Sequence, residues 1–219
     1  MTAPDPAAPD PAPVTPAPGR WILIVLIALC AGVEAVLQLA DAQLIGPGRL
    51  RSLAYEYGGF WVGLLRSWTP NFPAQPYVMF LTYGFLHGGI VHLAVNMITL
   101  WSLGAAVLDR VGVRGFVLLY TGSILGGGLG FALLASVLSP MVGASGALFG
   151  LAGGLLAWTY VDLFTLRERL WPVARAAAML AALNLVLWWA MNGQLAWETH
   201  LGGFVAGWVI ALLVDPRPR

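Results

Sequence analysis

The sequence has little charge and no lysine. Only 10% of its 219 residues are charged, and the eleven basic residues are all arginine, whereas an average soluble domain is about 25% charged. Hydrophobic residues make up 59% of the chain, and its net charge is only +1. A soluble fold of this size cannot bury so much apolar surface, and such a balance gives no basic surface for a nucleic acid. The composition therefore predicts a membrane protein with lipid around it and no nucleic-acid partner.

Cysteine and histidine are also scarce. Cys30, the only cysteine, stands inside the first apolar stretch, so it can form neither an intrachain disulfide nor a cysteine-based metal cluster. A membrane zinc protease would need His-Glu-x-x-His, but His87 and His92 are five residues apart and Gly88 stands in the place of the acid. The sequence therefore predicts no metal and no other cofactor.

What the sequence does contain is a series of long apolar stretches. Each has roughly 20 residues, enough to cross a hydrocarbon core about 30 Å thick. They predict an all-α polytopic membrane protein, a bundle of six transmembrane helices within one membrane domain, residues 20–215. The spans are expected at residues 21–40, 88–108, 115–138, 145–161, 171–190 and 198–214.

Three further segments lie outside these spans. Residues 1–19, rich in Pro and Ala, have too little apolar bulk to pack and predict a disordered cytoplasmic tail. Residues 216–219 are expected to form a short cytoplasmic C-terminus. The segment 41–87 is rich in aromatics, Gly and Pro, which predicts a long structured first loop resting partly in the membrane interface.

The arginines indicate how the spans are oriented. Eight of them fall on the side of the two termini, and three, Arg49, Arg51 and Arg66, fall on the other side. By the positive-inside rule this asymmetry predicts cytoplasmic termini. In a bacterial inner membrane the first loop and the start of the fourth span then face the periplasm.

Glycines recur at intervals that favour close helix packing. They include Gly122, Gly126 and Gly130 on the third predicted span, Gly143, Gly146, Gly150 and Gly153 around the fourth, and Gly203 and Gly207 on the sixth. Small residues four apart form grooves that let helix backbones approach. Taken alone, these glycines indicate packing and nothing catalytic.

Polar groups inside spans are the candidates for chemistry. His92 and Asn96 are four apart, so on a helix they share a face and can direct two hydrogen-bond donors at one point, as a developing oxyanion requires. Ser145 begins the fourth span, where free backbone N–H groups stabilise negative charge. His200 near the start of the sixth span can serve as its base if the glycines bring these helices together. No acid has an obvious claim to be a third member.

Taken in order, these motifs resemble the rhomboid family of intramembrane serine proteases, in its bacterial six-helix form. Gly143-Ala144-Ser145-Gly146 resembles the family's Gly-x-Ser-Gly motif, and His200 to Gly207 resembles its sixth-helix histidine motif. The resemblance implies a Ser145–His200 dyad and an oxyanion hole made by His92, Asn96 and the N–H of Ser145. It also implies a mainly structural role for His87, and transmembrane segments of other proteins as substrates.

The sequence departs from the family pattern at two places. Val78 and Met79 stand where many rhomboids carry Trp-Arg, which predicts a first-loop network built differently. Phe149 stands where a tyrosine often packs on the histidine, keeping the ring and losing the hydroxyl.

Other readings of the same residues remain. A rhomboid-like adaptor that binds transmembrane helices without cutting them is the alternative, and the intact serine and histidine argue against it. A transporter is disfavoured because no inverted repeat is visible. Glu34, in the first span, is expected to hydrogen-bond a neighbouring helix or to snorkel outward rather than to act in chemistry.

Overall fold

The computed structural model describes residues 19–46, 48–136 and 139–214. Nearly all of the predicted tail at 1–19 and all of the predicted C-terminus at 216–219 lie outside these residues. In the described part of the chain there is no strand beyond one isolated bridge between Phe60 and Met141.

The described residues form seven α-helices, and a helix-rich first loop separates α1 from α4. The helices are α1 Trp21–Asp41, α2 Leu50–Gly58, α3 Gln75–Thr82, α4 Ile90–Leu134, α5 Ser145–Thr165, α6 Trp171–Ala190 and α7 Trp197–Leu213. Two short 3₁₀ turns, Val62–Leu65 and Tyr83–Phe85, complete the first loop.

Helix α4 is two antiparallel segments joined at Gly112. This glycine has φ 66° and ψ −175°, outside the helical region. A Cβ placed on Gly104 would lie 3.3 Å from Cε2 of Phe116, although a straight helix would separate these residues by about 18 Å. The chain therefore folds back at Gly112, and α4 supplies two spans.

The six-span bundle predicted from the sequence is confirmed. Among the described residues, four helices are long and apolar enough to cross a membrane by length and composition: α1, α4, α5 and α6. The fold-back makes α4 two spans, and α7, with 17 residues, is about 25 Å long and forms the sixth.

Several predicted boundaries are wrong. The second span starts at Ile90 rather than 88, because Gly89 has φ 104° and cannot continue the helix. The third ends at Leu134 rather than 138. The expected connection at 109–114 is helical except at Gly112, since one left-handed glycine is enough to reverse the chain.

The first loop is a structured part of the fold, as predicted. Arg51 of α2 donates to both carboxylate oxygens of the buried Glu34, at 2.9 and 3.1 Å, and so joins the loop to α1. Hydrogen bonding with Glu34 is the main reason that the pKa of Arg51 is raised above its ordinary value. In α3, the amide of the buried Gln75 donates to the carbonyl of Glu56 at 2.7 Å. Thr82 donates to the carbonyl of Gly58.

The centre of the bundle is a backbone-to-backbone contact between α5 and α7. A Cβ placed on Gly203 would lie 2.7 Å from the carbonyl carbon of Gly146, and one placed on Gly207 would lie 2.6 Å from Cα of Gly150. The second half of α4 approaches α7 in the same way, since a Cβ on Gly130 would lie 2.8 Å from Cα of Gly202. The glycine spacing thus packs α4, α5 and α7 around one another.

We expect Gly203→Ala to destabilise the protein by about 1–3 kcal/mol, because the added methyl group meets backbone that cannot rotate away. The measurement is the midpoint of thermal unfolding in detergent. Gly32→Ala in α1 is the matched control, since nothing lies within 4 Å of a Cβ added there. Equal midpoints for the two variants would contradict the close contact of α5 and α7.

Candidate active site

Ser145 and His200 meet at the N-terminal ends of α5 and α7. The distance from Nε2 of His200 to Oγ of Ser145 is 2.8 Å. Ser145 is the first residue of α5, and His200 lies one turn into α7. Because the α5–α7 contact begins at Gly146 and Gly203, it fixes the separation of the two side chains just before it. The pair that the sequence predicted from different helices is therefore within hydrogen-bond reach.

Two other side chains hold the His200 ring. Phe149, one turn after Ser145, stacks on it with centroids 4.2 Å apart and planes 6° apart. Asn184 of α6 lies at its other nitrogen, with Oδ1 2.6 Å from Nδ1. His200 is itself buried, so its ring has protein on its face and on both nitrogens.

Sequence reasoning missed Asn184. The signal that could have found it is a lone amide in an otherwise apolar stretch, because α6 carries no other Asn, Gln, Ser or Thr. A polar group placed in that way inside a membrane helix indicates a partner on a neighbouring helix.

His92 reaches the same place from α4. The backbone N–H of Gly88 donates to its Nδ1 at 3.1 Å, so the ring proton of neutral His92 is on Nε2. A Cβ placed on Gly143 would lie 2.9 Å from that Nε2 and 3.9 Å from Oγ of Ser145. His92 Nε2 and Ser145 Oγ thus lie on the same side of Gly143, beside the position that a Cβ would take.

Glycine is required at positions 143 and 146, on either side of Ser145, for two different structural reasons. Gly143 has φ 130°, and a side chain there would overlap the His92 ring. Its N–H donates to the carbonyl of Tyr83 at 3.0 Å. Gly146 faces α7, where a Cβ would lie 2.6 Å from Cγ2 of Thr199. Glycine at these positions lets the backbone bring Ser145 beside both histidines.

Asn96 and His87 both contact His92. Asn96 is buried, and its Nδ2 donates to the carbonyl of His92 at 2.8 Å, which occupies one of its two N–H groups. The buried His87 ring packs edge-on to His92, with centroids 5.3 Å apart. The carbonyl of His87 accepts hydrogen bonds from Tyr55 and Arg51. His87 therefore supports His92 and joins it to the first loop.

Comparison with known proteins identifies the family. A model described as Rhomboid domain matches residues 74–217, so α1 and much of the first loop lie outside the match. RHOMBOID-like protein 4 of Arabidopsis thaliana is 35% identical over 140 residues, 64% of this chain and 34% of that protein. Rhomboid protease GluP of Bacillus subtilis is 35% identical over 133 residues, 60% of this chain and 25% of that protein.

A third relative comes from a eukaryotic organelle. Rhomboid protein 1, mitochondrial, of Saccharomyces cerevisiae is 35% identical over 151 residues, 61% of this chain and 42% of that protein. The chain spans less than half the length of each of these three relatives. Because the family match covers more than half of the chain and several helices can span a membrane, this protein is an integral membrane member of the rhomboid family.

Proposed function

We propose that this protein is an intramembrane serine endopeptidase that cleaves transmembrane segments of other membrane proteins. The observation that carries the proposal is the 2.8 Å contact between Oγ of Ser145 and Nε2 of His200 at the start of α5. A serine hydroxyl becomes an effective nucleophile when a positioned base takes its proton, and neutral histidine is the usual base near pH 7. The relative GluP is named a rhomboid protease, and this name is consistent with the proposed activity.

The proposed mechanism starts from the contact between Ser145 and His200. Oγ of Ser145 attacks the peptide carbonyl while its proton passes to Nε2 of His200. The tetrahedral intermediate collapses, the C–N bond breaks, and the leaving amine takes the proton from His200. Water then gives a proton to His200 and attacks the acyl-serine ester. The C–O bond to Ser145 breaks, the acid leaves, and Oγ takes the proton back from His200. No metal or cofactor takes part in these steps.

The negative oxygen of the intermediate needs donors in a dry site. The N–H groups of the first turn of α5, including that of Ser145, have no acceptor within the helix. Nε2–H of His92 and the second N–H of Asn96 are the side-chain donors that we assign to the same oxyanion hole. Each well-placed donor is worth about 2.7–4 kcal/mol of transition-state stabilisation.

The orientation in the membrane is part of the proposal. The arginine asymmetry supports cytoplasmic termini in a bacterial inner membrane, with Ser145 and His200 near the periplasmic face. A substrate helix enters from the lipid and unwinds locally, because carbonyls in a helix are hydrogen-bonded and sterically shielded.

We expect Ser145→Ala and His200→Ala each to lower the rate at which purified protein cleaves a transmembrane substrate by at least about ten-thousandfold. The reason is that the nucleophile or its base is gone. Ser123→Ala is the matched control, because this buried serine of α4 faces Gly150 rather than the dyad. Labelling by a fluorophosphonate probe should require Ser145. Folded wild-type protein that neither cleaves nor labels would favour the non-catalytic adaptor.

We expect His92→Leu to lower kcat by about 10²–10³-fold with little change in KM, because its donor acts on the oxyanion rather than on bound substrate. Thr99→Val is the matched control on the same helix, since its hydroxyl bonds only to the carbonyl of Val95. A rise in KM with unchanged kcat, or an equal fall of kcat in both variants, would remove His92 from the oxyanion hole.

We expect cysteines placed at Ser67 and at Glu168, each in a Cys30→Ala background, to show opposite accessibility in bacterial cells. Both side chains are exposed in loops. A membrane-impermeant maleimide should label the cysteine at 67 in spheroplasts and the cysteine at 168 only after permeabilisation. The reverse pattern would refute cytoplasmic termini.

A further inference from the structure

The environment of His200 includes a partner that the dyad by itself does not need. Oδ1 of Asn184 lies 2.6 Å from Nδ1 of His200, while Nε2 of the same ring faces Ser145 at 2.8 Å. The two contacts are made from different helices, α6 and α5, so both nitrogens of the ring are occupied at once.

The chemistry of the two partners decides which nitrogen carries the proton. An amide oxygen can only accept a hydrogen bond, so its partner Nδ1 must be protonated. A neutral imidazole has one N–H, and Nε2 is then left with a free lone pair directed at the hydroxyl of Ser145. This is the tautomer that a general base requires, whereas a proton on Nε2 would prevent His200 from accepting the serine proton.

We propose that Asn184 is a positioning residue that holds His200 in its Nδ1-protonated tautomer, a role that rests on the proposed proteolytic function. The amide oxygen also stays hydrogen-bonded to Nδ1–H when the ring becomes a cation, and so it stabilises the charged form during proton transfer. Phe149 stacks on the ring face. The ring is thereby fixed by Ser145, Asn184 and Phe149 in three directions.

A purely structural role would be to attach α6 to the bundle. Of the residues of α6, all of which the structure describes, only Val173 is buried. Loss of the Asn184–His200 hydrogen bond could therefore loosen α6 without any effect on the tautomer. The experiment has to separate an effect on proton transfer from an effect on helix attachment.

The kinetic test uses two substitutions that differ in the acceptor. Asn184→Leu keeps the branched shape at Cγ and has no acceptor, and we expect its kcat to fall about tenfold to hundredfold, the effect of one hydrogen bond to a group that becomes charged. Asn184→Asp keeps an acceptor and should remain within a few-fold of wild type. Leu185→Ala, whose side chain is exposed on the same helix, is the control and should retain full activity.

The pH profile adds a readout that helix attachment would not move. A carboxylate at 184 stabilises the His200 cation, so Asn184→Asp should shift the acid limb of kcat to higher pH. Ser145 of α5 contacts the His200 ring, His92 of α4 acts on it electrostatically, and Glu198 lies in the first turn of α7. None of these residues is changed in the variants. An Asn184→Asp variant as slow as Asn184→Leu, with an unmoved acid limb, would overturn the proposal.

Nitrogen NMR tests the tautomer without any substrate. In protein labelled with ¹⁵N at its three histidines, with His200→Gln used for assignment, His200 should show a protonated Nδ1 and a bare Nε2. Asn184→Leu should give a mixture of both tautomers. A wild-type ring protonated on Nε2, or a tautomer unchanged in Asn184→Leu, would overturn the proposal.

The two tests also separate this inference from the proposed function. If the wild-type protein cleaves substrate and Asn184→Leu has the same kcat, the role of Asn184 is rejected and the proposed protease activity is retained. No cleavage by folded wild type, with the expected tautomer and its loss in Asn184→Leu, would reject the protease and support the hydrogen bond that fixes the ring.

Discussion

The contact of α5 with α7 is the constraint on which the rest of this structure depends. Lipid offers no hydrophobic drive for two apolar helices to associate, so their association relies on close van der Waals packing. Here it is achieved by Gly146 and Gly150 against Gly203 and Gly207, whose backbones touch where any other residue would hold them apart. Ser145 directly precedes this contact and His200 lies three residues before Gly203, so their 2.8 Å separation is a consequence of backbone packing.

The first loop holds in place the segment of the chain that leads into Ser145. The bridge between Phe60 and Met141 and the bond from the N–H of Gly143 to Tyr83 fix the segment ahead of α5. The same loop is joined to α1 by the ion pair of Arg51 and Glu34. Breaking such a buried pair by removing one partner leaves an uncompensated charge and is strongly destabilising. Much of this loop lies outside the family match at 74–217, although it contacts the site.

The two histidines beside Ser145 are held in opposite protonation patterns by fixed neighbours. The N–H of Gly88 donates to Nδ1 of His92, which leaves the proton of that ring on Nε2, on the side of Gly143 where Oγ of Ser145 also lies. Oδ1 of Asn184 faces Nδ1 of His200, which leaves Nε2 free to accept. One imidazole is thus suited to donate a hydrogen bond and the other to take a proton. Neither arrangement requires a carboxylate, in agreement with the sequence, which offers no acid for a third member.

The sequence by itself determined the all-α bundle, the number of spans and the candidate residues, because apolar length, glycine spacing and intramembrane polar residues are local properties. It did not determine the ends of the spans around residues 88 and 112, where the positive φ of Gly89 and of Gly112 sets the point at which the helix begins or reverses. It also missed Asn184, 16 residues before His200. Only the tertiary structure decided that partner, because the rotation of α6 about its axis sets where the amide of Asn184 points. The apolar residues of α6 are spread around the helix and do not specify that rotation.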